Sequence, residues 1–165
     1  MTVRDVLLSA AHANLYQLYW SDEILDEAFK NLIADGQMTK EEAERTRKIM
    51  DRAFPESIVE DYDHLIAVMR NDPKDRHVVA AAVKAGAQLI VTSNVKDFYD
   101  LPEGMEAQNP DTFMCNLFEL DPVRVLAALQ RIAARLKRPP STVASLCAAV
   151  GPEFSELVAA YQAVA

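Results

Sequence analysis

Apolar residues recur at helical spacing along most of this chain and gather at strand-like density in only a few short places. Val6, Leu7, Ala10 and Ala11 form one stripe, which predicts a helix over Val3–Asn14. The aromatic-rich run Leu15–Trp20 predicts a short buried strand. Ser21 is placed to N-cap a second helix, with Asp22 and Glu23 in its first turn and Ile24, Leu25, Ala28 and Leu32 on its inner face. Thr39-Lys40-Glu41-Glu42 is a capping box, and the helix it opens runs to about Phe54, before Pro55. A short strand near Ser57–Val59 and a further helix are expected up to Arg70.

The sharpest pattern follows. Asp72-Pro73-Lys74-Asp75 sets an N-cap aspartate before a proline in the first helical turn, and Arg76–Ala85 continues as a helix apolar nearly all round until Gly86 ends it. Gln88–Ser93 is then a continuous apolar run, as expected of a strand buried on both faces of a parallel sheet. Pro102, Gly104 and Pro110 mark loops, and from Asp111 onward the pattern is helical. Pro139-Pro140 interrupts that tail, while Ser141 and Gly151-Pro152 open its last two short helices. A helix next to a strand of this kind argues for an α/β layered fold.

At 165 residues the chain is long enough for one core, burying roughly 70% of its extended surface without disulfides or metal staples. Cys115 and Cys147 stand 32 apart with no CxxC, which excludes a disulfide framework and a zinc pattern and suits a reducing cytoplasm. The longest apolar run, Val78–Val83, is far short of the ~20 residues of a membrane helix. Asp5 interrupts the short apolar stretch near the start, so that segment reads as a helix and not a secretion signal. The net charge of −8 hides a division. Residues 1–121 hold 12 Lys/Arg against 23 Asp/Glu, a net of −11, and residues 122–165 hold 5 against 2, a net of +3. An acidic body that gathers cations therefore carries a basic end.

Three acidic places are candidates for chemistry: Asp26-Glu27 on the second helix, Asp72 with Asp75, and Asn94 with Asp97 just after the apolar strand. Each has an ordinary structural explanation: a solvated helix face, helix caps, and turn formers. Asn94 falls outside the carboxyl end of a strand, where open parallel sheets bind ligands. If the three places converge, the site is oxygen-rich and suited to Mg²⁺ or Mn²⁺. His12, His64 and His77 are isolated in sequence and read as surface or packing residues. Arg76, at a helix start, is placed to touch a phosphate or to pair with a neighbouring aspartate. Arg124, Arg131, Arg135 and Arg138 fall within about 60° of arc at ~100° per residue. Opposite them lie Val125, Leu126, Leu129, Ile132, Ala133 and Leu136. The stripe is either a solvated face or a docking face for RNA or an acidic partner.

The block Asp72-Pro73-x-Asp75-Arg76-His77-Val78-Val79-Ala80-Ala81-Ala82, then Gly86-Ala87, then Ile90-Val91-Thr92-x-Asn94-x-x-Asp97-Phe98 resembles a PIN-domain protein of the VapC-like toxin ribonuclease group. Ser21-x-Glu23-Ile24-Leu25-Asp26-Glu27 resembles that family's second acidic motif. The resemblance spans about residues 4–120. It implies a three-layer α/β/α fold with a central parallel sheet over residues 1–118, and a helical C-terminal extension over 119–165. It also implies metal-assisted hydrolysis of RNA, a cognate antitoxin and a possible homodimer. Glu27, Asp75 and Asp97 are the implied catalytic acids. Asp72 and Asn94 join them as metal ligands, and Asn94 falls where many members have the last acid. Members begin with a hydrophobic strand ending in an aspartate. No residue here matches it, and Asp5 is a poor substitute. The resemblance leaves three alternatives, a natural product starting about 10–20 residues earlier at typical strand length, a strand supplied by another segment or chain, or a degenerate relative, and the first is the expectation. Two further classes compete with the nuclease: a PIN-like module that binds RNA or an antitoxin without cleaving, and a metal-dependent phosphatase. No strand ends in the aspartyl nucleophile the phosphatase needs.

Overall fold

The computed structural model describes residues 3–135 and 141–164. Their helices are α1 (Val3–His12), α2 (Asp22–Ala34), α3 (Lys40–Ala53), α4 (Asp63–Ile66), α5 (Arg76–Ala85), α6 (Pro110–Leu120), α7 (Pro122–Arg135), α8 (Val143–Val150) and α9 (Pro152–Val164). Two short strands, β1 (Leu89–Val91) and β2 (Glu106–Gln108), pair with each other. The pairing is parallel, because Glu106 N–H donates to Gln88 O and Thr92 N–H donates to Gln108 O, both at 2.9 Å, and the register climbs the same way on both strands. Among the described residues no helix is long and apolar enough to cross a membrane.

The caps follow the local sequence. Ser21 accepts from Ile24 N–H and starts α2. Thr39 and Glu42 close a reciprocal capping box at α3. Gly86 ends α5 at φ 68°, a left-handed conformation that glycine adopts without the clash a Cβ brings. α8 opens one residue later than expected. Thr142, not Ser141, is the cap, because its hydroxyl reaches the N–H of Ser145.

The strands depart most from the pattern. Leu15–Trp20 is not a strand, and of Ser57–Val59 only Ile58 takes part in one, through an isolated parallel bridge to Trp20. Trp20 N–H donates to Ser57 O at 2.9 Å and Val59 N–H to Trp20 O at 2.8 Å. The helix expected before Arg70 shrinks to the single turn of α4. The Gln88–Ser93 run shortens to β1 and is not buried on both faces, for Leu89 is exposed, Ile90 buried and Val91 between the two. Apolar residues gave these segments strand propensity, but pairing needs a partner from elsewhere in the chain.

The chain divides into two compact units, one comprising Met1–Gln17, Val91–Ser93 and Gln108–Ala165, the other Leu18–Ile90 and Asn94–Ala107. In the first, Val6, Met114, Leu129, Leu146, Phe154 and Val158 make a core. Edge-to-face ring pairs Tyr16–Phe113 at 5.0 Å and Phe118–Tyr161 at 5.3 Å stiffen it. In the second, Val79, Ala80, Ala81 and Ala82 of α5 pack with Ile90, Phe98, Tyr62 and Met69. That packing fixes the start of α5, where the candidate acids stand.

Candidate functional site

The second unit brings the acidic places together around the turn before α5. Pro73–Asp75 is a single 3-10 turn, and Asp72 caps it by accepting from Lys74 N–H at 3.1 Å. Asp72 N–H in turn donates to Asp97 O at 3.3 Å, which ties this turn to the loop after β1. The capping explanation therefore holds for Asp72. It fails for Asp75, which precedes α5 rather than sitting within it and makes no side-chain cap. Its carboxylate, 21% exposed, is left for other work.

Charge at Asp75 is held against its neighbours. Burial first, then the negative charges of Asp97, Asp72 and Glu27, push its carboxyl above the usual aspartate range, and Lys74 opposes them. Lys74 lies among these acids, its Nζ 2.7 Å from Asp97 Oδ2 and 3.9 Å from Asp75 Oδ2. The Lys74 hydrogen bond holds Asp97 below the usual range, helped by the Asn94 amide, which donates to the same Asp97 oxygen. The α2 pair splits. Asp26 is taken by Arg47 of α3 at 3.0 Å, and Arg47 also binds Asp22 and Asp51. Glu27 instead reaches toward α5, its Oε2 3.5 Å from His77 Nε2.

Glu27, Asp72, Asp75, Asn94 and Asp97 are thus brought into one electrostatic neighbourhood. Among the described residues no three His, Cys, Asp or Glu side chains already stand close enough to hold a metal ion. The donor set still suits a cation, because like charges crowd Asp75 and an ammonium already lies between the carboxylates. Lys74 reads in sequence only as a turn residue, while His77 is buried, as its packing reading expects. Arg76 is half-buried, and its Nε donates to the Asn71 carbonyl at 3.2 Å. Burial pushes the Cys115 and Cys147 thiols up to about 11, which makes both poor nucleophiles near neutral pH.

The basic stripe belongs to the first unit. Arg124 is committed to structure, its Nη2 donating to Ala13 O at 2.9 Å and Asn14 O at 3.1 Å, with Asp121 3.9 Å from Nη1. Arg131 and Arg135 are exposed. Arg138 lies outside the described residues.

Two family profiles match this chain, one described as PIN domain over residues 2–96 and one as VapC50 C-terminal domain over residues 110–151. The chain is also similar to a protein of Mycobacterium tuberculosis (strain ATCC 25618 / H37Rv) named "Putative ribonuclease VapC50". The two are 38% identical over 101 residues, which is 59% of this chain and 60% of that protein. No solved structure matches.

Proposed function

The chain belongs to the PIN-domain family, with a mostly helical α/β fold and a small parallel sheet, and from that premise we propose that it is a divalent-metal-dependent ribonuclease, the toxin of a toxin–antitoxin pair. The observation that carries this reading is Asp75, a carboxylate released from capping, partly buried, and pressed by Asp97, Asp72 and Glu27. Structural caps alone do not need such convergence. The similarity to a protein named as a ribonuclease supports the substrate class. In this reading residues 1–118 form the nuclease domain and residues 119–165 its helical extension.

Glu27, Asp75 and Asp97 are the catalytic acids, with Asp72 and Asn94 completing the set that holds Mg²⁺ or Mn²⁺. When bound, such an ion lowers the pKa of a water and offsets charge on the phosphodiester. Asp75 fixes the position of the cation, because its backbone is anchored between the 3-10 turn and α5. Asn94 orients the Asp97 carboxylate through its amide. Lys74, once off Asp97, offers its ammonium to the substrate phosphate. The partners are the RNA substrate and an acidic antitoxin, and the chain pairs with a second copy of itself.

A second reading is a module that holds RNA or an antitoxin without cutting. The observation on its side is that no three ligands are already assembled among the described residues. One assay separates the two. The full chain with single-stranded RNA and Mn²⁺ is expected to cleave. Asp75→Asn should lower the rate by more than the ~10- to 100-fold that outer-shell partners of a metal cost. RNA bound by the wild-type chain but left intact with either ion would sink the nuclease and leave the binding module.

A further inference from the structure

His77 stands in the first turn of α5, two residues past Asp75, with its side chain only 7% exposed. Its Nδ1 lies 3.0 Å from Lys74 O. A carbonyl oxygen only accepts, so Nδ1 is the donor, and in the neutral ring the lone pair is left on Nε2. That nitrogen is buried and makes no hydrogen bond. Glu27 Oε2, also an acceptor, is 3.5 Å away. Two acceptors facing each other at this range repel unless a proton on Nε2, making the pair ionic, or a metal cation comes between them.

Metal-binding histidines are set up in this way. The ring nitrogen away from the ion donates to a carbonyl or carboxylate, which fixes both the tautomer and the plane of the ring. An imidazole nitrogen favours transition ions over Mg²⁺, whose preferred donors are oxygens.

We propose that His77 is a metal ligand, its Nε2 and the Glu27 carboxylate together receiving a divalent ion beside Asp75, and that this nitrogen makes the site select Mn²⁺ over Mg²⁺. The inference rests on the nuclease reading above and deepens it by naming the ion and a nitrogen donor. Glu27, 57% exposed, has the freedom to turn around an arriving ion.

The test is pulsed electron paramagnetic resonance of Mn²⁺ bound to the metal-free full chain. Wild type is expected to show ¹⁴N coupling from a directly bound imidazole. His77→Gln should lose that coupling and bind Mn²⁺ about 10- to 100-fold more weakly, with Mg²⁺ affinity by competition falling no more than about threefold. Glu27→Gln, on an exposed helix position, should weaken Mn²⁺ but keep the nitrogen coupling. If His77→Gln does not fold, the wild-type coupling and its Mn²⁺ to Mg²⁺ competition ratio decide the matter. Asp75-dependent Mn²⁺ binding without nitrogen coupling would mean that His77 only packs against α2, overturning this inference and sparing the nuclease reading. Coupling that survives in His77→Gln comes from another histidine and overturns it equally. A wild-type chain that binds no Mn²⁺ overturns both.

Discussion

Lys74 sets a full positive charge where the proposed cation belongs. Its ammonium bonds Asp97 at 2.7 Å and approaches Asp75 at 3.9 Å. The titration directions agree with the geometry: its own hydrogen bond to Asp97 raises Lys74, and the same bond lowers Asp97. Lysine and metal then compete for the same oxygens, and the lysine, 63% exposed on a flexible stem, is the one able to swing away. Lys74→Gln is therefore expected to tighten Mn²⁺ binding by roughly 3- to 10-fold, a modest gain because solvent screens an exposed ammonium. In the same variant the Asp97 carboxyl should move up toward the ordinary range when followed by NMR. Unchanged Mn²⁺ affinity with a shifted Asp97 would mean that the ion does not use these oxygens. The sequence made both aspartates of the turn look like caps. Only the three-dimensional arrangement separates Asp72, whose Oδ1 accepts from Lys74 N–H, from Asp75, whose carboxylate makes no cap.

Helix ends are held by single contacts that can be removed one at a time. Asp111, in the first turn of α6, accepts from Glu153 N–H at 3.1 Å and Phe154 N–H at 2.7 Å, and so caps α9 from another helix. Gly151 lies against that carboxylate. Its φ of 170° is extended backbone open to any residue, so the constraint is contact alone. A Cβ there would come within 2.1 Å of Asp111 Cγ. Gly151→Ala should push Asp111 off its donors and lower the denaturation free energy by about 1–3 kcal/mol, the usual range for overpacking. Asp111→Asn, which keeps one acceptor oxygen, should cost less. Equal stability of Gly151→Ala and wild type in urea would mean that α9 does not depend on this cap. Such capping between helices was invisible in sequence, since Asp111 and Gly151 are 40 positions apart. The caps at Ser21, Thr39 and Gly86 were legible because partner and cap lie within four residues. Strand extents were not. Trp20 pairs with Ile58 and β1 with β2, and nothing local to Leu15–Trp20 or Gln88–Ser93 says how far a distant partner will run alongside.

Across the whole chain the charge is divided, −11 over residues 1–121 and +3 over residues 122–165, and this bears on how a polyanion would be met. The acidic part gathers cations and repels a polyanion, so the basic end is expected to carry most of the phosphate affinity and its salt dependence. The three arginines of the stripe that lie among the described residues are not placed alike. Arg124 spends its donors on the carbonyls of Ala13 and Asn14, where it ties the start of α7 to the end of α1. Arg131 and Arg135 are exposed on a helix whose opposite side is buried through Val125, Leu129 and Ile132. Replacing Arg131 and Arg135 together by Gln should weaken RNA binding and reduce the slope of log K against log salt by about 2, one for each arginine–phosphate pair removed. Stability should not change, because neither side chain is buried. Arg124→Gln should do the reverse, lowering the melting temperature while leaving the salt slope where it was. The two variants make the assignment testable in one set of binding isotherms. Should the double variant keep its slope, the stripe is a solvated face, and RNA is held at the carboxylate site through bound cations alone.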